Sequence, residues 1–272
     1  MIIFAVIIDI LHHMRNLTVT ILTYNEERRI EQCLRSVEGV ADEIVVVDSY
    51  STDRTVEICR AHGCRVRQRH LSGYGAQRQY ATSLAHNDYI LALDADEALS
   101  PELAQAIRDL KRNDFGHRVY RLSRLNFYCG RPVRHCGWYP DCQIRLFVRR
   151  FVNWNLSDVS EQVMIFRDSV CPEPVPGDIL HFRCDTPEAY AVKERHHALM
   201  MAQALGQNRQ SIGMWRPTLE GLRAFVACYF GRSGIADGLT GLAISAECFR
   251  CARLAWSTAR RYQLNHPTTL TT

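Results

Sequence analysis

No apolar run in this 272-residue chain reaches the roughly 18 residues a membrane-spanning helix needs. No G-x-G-x-x-G follows the first predicted strand, which argues against a dinucleotide-binding oxidoreductase, and no G-x-x-x-x-G-K-[ST] occurs, which excludes a P-loop ATPase. Internal repeats and low-complexity tracts are absent. No helix-turn-helix, zinc-finger or aromatic RNP pattern accompanies the basic charge, so nucleic acid is not an expected partner. Met1 to Ile10 is apolar, but His12, His13 and Arg15 follow it instead of preceding it. A signal peptide has the opposite polarity, so this stretch reads as a non-cleaved extension that packs on the protein or touches a membrane.

What is present is an ordinary globular composition, 47% hydrophobic and 23% charged, enough for one large domain or a domain with an appendage. The eleven cysteines are odd in number and often sit inside apolar runs, as Cys33, Cys59, Cys228, Cys248 and Cys251 do. Buried, reduced thiols in a cytosolic protein fit that pattern better than a disulfide framework. Cys129, His135, Cys136 and Cys142 form a zinc candidate whose spacings match none of the paired ligand motifs. The net charge of +4 is uneven: residues 213–272 carry seven Arg against three acids, and residues 118–150 carry eight Arg against Asp141 alone. Arginine forks suit phosphate oxygens.

Strand and helix signals alternate along the first 110 residues or so. Leu17 to Thr23 is a β-branched run, and Asn25 is placed to cap a helix over 26–37. Glu43 to Asp48 is a continuous apolar strand ending in an acid, and Ser51-Thr52-Asp53 precedes a helix closed by Gly63. A short strand over 64–68 follows. A helix over 74–85 carries Arg78 near its start, the strand 89–93 ends at Asp94, and Ser100-Pro101-Glu102 opens another helix. The expected fold class is α/β, a mostly parallel sheet with flanking helices. Ligands of such sheets bind beyond the carboxyl ends of the strands, here Thr23, Asp48 and Asp94.

Asp94-Ala95-Asp96 at the end of a buried strand can present carboxylates to one divalent cation. Mg²⁺ and Mn²⁺ take oxygen ligands and keep positions open for phosphate oxygens, so the pair suggests a metal-held diphosphate and a nucleotide-activated substrate.

Three segments in order, Thr18-Val-Thr-Ile-Leu-Thr-Tyr-Asn-Glu-Glu27, Ile44-Val-Val-Val-Asp-Ser-Tyr-Ser-Thr-Asp-Arg-Thr55 and Leu93-Asp-Ala-Asp-Glu97, resemble the inverting family-two glycosyltransferases. Later segments at 126–131, 135–141, 145–149 and 234–241 resemble the subgroup that adds glucose to inner-core heptose of bacterial lipopolysaccharide. The resemblance spans about residues 16–256. It implies a GT-A, Rossmann-like nucleotide-sugar-binding fold over 16–205 and a C-terminal helical appendage over 206–272. Carried over residue by residue, Thr23 and Asp48 contact base or ribose, Asn25 and Glu26 belong to the same donor-binding turn, Asp53 supports that loop, and Arg78 faces the nucleotide-sugar. Asp94 and Asp96, with Ala95 between them, sit at the metal and diphosphate. The position of the family's catalytic base matches Glu161, although Ser160 stands where a His is expected; Asp158 is the rival.

The implied donor is UDP-glucose, the cofactor Mg²⁺ or Mn²⁺, and the acceptor lipopolysaccharide or another glycolipid. Arg145 is the favoured arginine for the charge that develops on the leaving diphosphate. Leu219, Leu222, Phe225, Val226 and Tyr229 repeat at helical spacing, as do Leu239, Leu242, Ala246, Phe249 and Arg253. A basic amphipathic helix can lie in an anionic membrane interface, so the expected location is cytoplasmic and peripheral on the inner membrane; the alternative is a helix pair packed on the catalytic domain or on a dimer partner. Another polysaccharide or lipid-carrier acceptor is the nearest alternative. A sugar nucleotidyltransferase, which releases pyrophosphate, is the alternative from another class.

Overall fold

The computed structural model describes residues 16–155, 163–166, 171–206 and 211–265. The chain divides into two compact units, one of residues 1–124 and 141–181, the other of 125–140 and 182–272.

The first unit begins as the sequence dictates. β1 (Leu17–Thr23), β2 (Glu43–Asp48), β3 (Arg65–Gln68) and β4 (Tyr89–Asp94) form a parallel array in the order β3-β2-β1-β4. The helices α1 (Ile30–Ser36), α2 (Thr55–Ala61) and α3 (Tyr74–Leu84) lie between them in the chain. Every residue of β1 is buried, because helices cover both faces of a parallel sheet and a polar face would have no water to meet. In β4 the strand period of two divides the core: Leu91 and Leu93 join the cluster under α1 and the helix Pro101–Arg112, while Ile90 and Ala92 join one with Phe147 and Trp154.

Beyond β4 the sheet turns antiparallel, through β8 (Asp141–Val148) and β6 (Val119–Tyr128), so its parallel part is the one the alternating pattern encodes. The short β5 (Glu97–Leu99) pairs antiparallel with β11 (Glu173–Cys184). Between them in the chain lie α4 (Pro101–Arg112), β7 (Arg131–Pro132), β9 (Val152–Trp154) and β10 (Val163–Ile165). α4 is capped as expected: the Ser100 hydroxyl accepts from the Leu103 amide at 3.1 Å with Pro101 at the first position.

Asn25 is not a helix cap. Its φ of 54° puts it in the left-handed region, residues 26–29 form turns, and α1 starts only at Ile30. Asparagine tolerates that conformation, and its side chain is committed elsewhere, as described below.

In the second unit, α5 (Pro187–Gly206), α6 (Arg216–Val226) and α7 (Gly238–Asn265) dominate, with a π turn at Ala227–Gly231 and a 3₁₀ turn at Gly234–Asp237. Two glycines of the 234–241 segment are packing requirements: a Cβ at Gly234 would lie 2.9 Å from Cys136 Sγ, and one at Gly241 would run into the Gly234 carbonyl. Tyr128, Trp138 and Tyr190 form an aromatic cluster with ring centroids 5.3–6.5 Å apart. Among the described residues, no helix is long and apolar enough to cross a membrane.

Candidate active site

The connection from β3 to β4 carries the chain back past β2 and β1, so strand order reverses between β1 and β4. Loops leaving the two strands on either side of a reversal diverge and open a crevice, the usual ligand site of such sheets. The register sets Thr23 beside Asp48 and Leu22 beside Asp94, which brings the three expected strand ends together at one edge.

On the β1–β2 side the two turns are laced by side chains. Asn25 Oδ1 accepts from the Thr52 amide at 2.8 Å, while the Asn25 and Glu26 amides donate to Ser51 Oγ and Thr55 Oγ1, each at 2.8 Å. Asp53 accepts from the Glu27 amide at 3.1 Å and from Thr55 Oγ1 at 2.6 Å. Burial nudges the Asp53 carboxyl up, but the Thr55 and Glu27 hydrogen bonds outweigh it and hold the carboxyl below its ordinary value. Asp48 is fully buried and accepts from the Ser51 amide, the Ser51 hydroxyl and Gln68 Nε2. Thr23 Oγ1 is buried with no hydrogen-bond partner among the described residues. A polar atom orphaned at a strand end is available to a ligand.

On the β4 side lies an acid–arginine cluster. Arg78, 2% exposed, places Nη2 at 2.8 Å from both Asp94 oxygens and lays its guanidinium over Trp154. Arg145, 4% exposed, lies 3.5 Å from both Asp94 Oδ2 and Glu97 Oε1. Arg124 bridges Glu97 at 3.2 Å and Asp141 at 2.6 Å. Ala95 is buried and its amide donates to the Leu22 carbonyl at 3.0 Å, which locks the turn between the two aspartates. The aspartates consequently have different neighbours: Asp94 meets guanidinium groups, whereas Asp96 Oδ2 lies 3.4 Å from His181 Nε2.

Burial pushes the Asp94 carboxyl up, yet Arg78, then Arg145 and His181, overcome this and hold it at about 2, against an ordinary 3.8. A depressed carboxyl stabilises the folded state above its unfolded value, and the contribution disappears as pH falls toward the folded one. Roughly 2 kcal/mol of stability is therefore expected to vanish between about pH 4 and pH 2. Urea denaturation across that range checks this, with Asp94→Asn expected to flatten that part of the profile. Behind the site, burial first and then the charges of Glu97, Asp94 and Asp96 push the Cys33 thiol well above its ordinary value, so it is neutral and inert as a nucleophile.

Among the described residues, no group of three or more His, Cys, Asp or Glu side chains forms a ready-made metal site, which applies equally to the zinc candidate. His135 is instead tied to Asp237 at 2.9 Å. A divalent cation that keeps positions for phosphate oxygens needs few protein ligands, and Asp96 with His181 supplies one oxygen and one nitrogen. That pair fits the cation better than Asp94, whose oxygens already face Arg78 and Arg145. Glu97, which closes the third motif, and Arg124 of the basic stretch complete the site, together with His181, which nothing in the sequence pattern singles out. Glu161 and Asp158 lie outside the described residues.

Residues 18–170 match the family described as glycosyl transferase family 2. The chain belongs to that family. An uncharacterized glycosyltransferase of Rickettsia typhi is 27% identical over 255 residues, covering 88% of this chain and 85% of the relative. The lipopolysaccharide core biosynthesis glycosyltransferase LpsC of Rhizobium meliloti is 25% identical over 242 residues, covering 83% and 87%. Among solved structures, glucosyl-3-phosphoglycerate synthase from Mycobacterium tuberculosis, in complex with Mn²⁺, uridine diphosphate and glucosyl-3-phosphoglycerate, aligns with a TM-score of 0.34 and 24% identity over 43% of this chain and 45% of that one. The family 2 match runs from β1 through β10 and so contains the crevice, the laced turns and the acid–arginine cluster. The family 2 chain has the GT-A arrangement: a sheet with a parallel half and an antiparallel extension, flanking helices and C-terminal helices.

Proposed function

We propose that this transferase moves glucose from UDP-glucose to the inner core of lipopolysaccharide, inverting the anomeric centre. The observation that carries the reading is the paired guanidinium set at Asp94, at the strand-order reversal of a family 2 domain. Arg145 Nη1 is a buried donor with no partner among the described residues, which leaves it for an oxygen of the diphosphate. The core acceptor follows the relative named for core biosynthesis, and the donor follows the sequence resemblance. A glycosyltransferase for another polysaccharide or lipid carrier would use the same donor half.

In this reading Thr23 and Asp48 hold the nucleoside, with the Asn25–Glu26 turn and Asp53 shaping the pocket. The acceptor hydroxyl attacks the anomeric carbon as the bond to the diphosphate oxygen breaks. Glu161 takes the hydroxyl proton, while Arg145 faces the charge gathering on the leaving group. Asp96 and His181 would hold a divalent cation, which when bound supplies charge neutralisation for the diphosphate. Residues 16–205 act as the catalytic region, and 206–272 form a helical region through which the cytoplasmic protein contacts the inner membrane.

A screen of sugar nucleotides tests the reading. Metal-dependent release of a nucleoside diphosphate, greatest with UDP-glucose, is the expected outcome; release of pyrophosphate from a parallel incubation with UTP and glucose 1-phosphate would instead identify a nucleotidyltransferase. Asp96→Asn is expected to lower transfer by about 10²-fold, the equivalent of nearly 3 kcal/mol in the barrier, and to weaken Mn²⁺ binding measured by calorimetry. Unchanged Mn²⁺ binding and rate would remove Asp96 from the metal site.

A further inference from the structure

The helix α6 is inside out for a globular protein. Pro217 and Gly221 are its buried residues, and Gly221 lies so close to Phe249 of α7 that a Cβ would approach that ring to 3.0 Å. Its large apolar side chains point the other way. Leu219, Leu222 and Val226 are 59%, 51% and 52% exposed, with Trp215 at 70% before the helix and Phe230 at 61% after it. Spacings of four, three, four and four residues align these five along a single stripe, opposite the face packed on α7. Such a stripe is a surface awaiting a partner.

The surrounding charge selects the partner. Arg223 and Arg232 are exposed, and among the described residues Arg223 makes no ion pair, whereas Arg216 pairs with Glu220 at 2.7 Å and lies over the Trp256 ring of α7. Glu220 and Asp237 are the only acids from Ser211 to Ala246, and both are largely buried and paired, with side chains 17% and 10% exposed. A second copy docked through the same stripe would bring arginines against arginines with no exposed carboxylate between them. A surface carrying dense negative charge above an apolar interior satisfies both features.

We propose that the Trp215–Phe230 stripe docks in the plane of an anionic lipid bilayer, apolar side chains among the acyl chains and Arg223 and Arg232 at the headgroups. Trp215 then sits at the headgroup boundary, where an indole is favoured. The inference rests on the membrane contact proposed above and specifies the surface that makes it.

The full chain is sedimented with vesicles of phosphatidylcholine alone or mixed with phosphatidylglycerol. The wild type is expected to partition at least tenfold better onto the anionic vesicles, less so at high salt. L219E/L222E/V226E is expected to lose at least tenfold in partitioning, with unchanged circular dichroism and unchanged hydrolysis of the donor in solution. R223E is expected to lose mainly the phosphatidylglycerol preference. Undiminished binding by the triple variant would overturn the assignment and move the contact to another segment, such as Met1 to Ile10. Failure of the wild type to bind any vesicle would overturn both the stripe and the membrane contact, while donor turnover would still report on glycosyl transfer. A wild-type dimer that the triple variant converts to monomer would give the stripe to a second copy of the chain.

Discussion

Glu97→Ala is expected to destabilise the protein by about 3–5 kcal/mol, the range for removing one partner from a buried ionic network. The Glu97 side chain is fully buried, faces Arg124 and Arg145, and accepts the Asp94 amide at 2.9 Å. Alanine leaves two buried guanidinium groups short of negative charge and one amide without its acceptor. For a domain of this size the melting temperature should fall by roughly 10 °C. Glu97→Gln should do less harm, because the amide oxygen still accepts from Asp94 while only the charge is lost. Thermal and urea denaturation of the two variants check the order. A loss of under 1 kcal/mol for alanine would mean that Asp94 and Asp141 alone satisfy the arginines.

Glu161→Gln is expected to lower transfer by about 10²–10⁴-fold, the range for removal of a general base, while UDP-glucose binds as before. The substitution keeps the shape but exchanges a carboxylate for an amide, which is too weak a base to take the acceptor proton in the proposed reaction. Single-turnover transfer and donor titration by calorimetry separate the two effects. Donor affinity and rate falling together would place Glu161 in the donor pocket, and loss of transfer in Asp158→Asn with Glu161→Gln active would assign the base to Asp158.

The parallel half of the sheet is legible because a strand buried on both faces needs an unbroken apolar run, and β1, β2 and β4 each have one. Their polar ends then point to one edge. Arg78 and Arg145, 67 residues apart by number, enter from the sequence as an arginine expected to face the nucleotide-sugar and the favoured arginine of the basic stretch, and both reach Asp94. The cap at Asn25 misleads because one side chain serves two geometries, a helix start or a left-handed turn, and only the neighbouring Ser51–Thr52 turn decides between them. His181 is hidden for another reason. It lies in β11, and its meeting with Asp96 depends on the antiparallel pairing that sets it opposite Glu97, which no local periodicity encodes. Glu97 itself follows the aspartate pair directly, yet its burial under two arginines depends on strands that come later in the chain.

In the proposed function, the lacing of the β1 and β2 turns bears on how a donor is received. The amides of Asn25, Glu26, Glu27, Ser51, Thr52, Arg54 and Thr55 each donate to a side-chain oxygen of the facing or the same turn. A cradle tied at that density has little conformational freedom left to surrender, so the entropy that usually opposes ordering a binding loop is already settled at folding. Those seven amides should exchange slowly with deuterium in the free protein, and donor arrival should be read in the kinetics as a single encounter step with no slow rearrangement behind it.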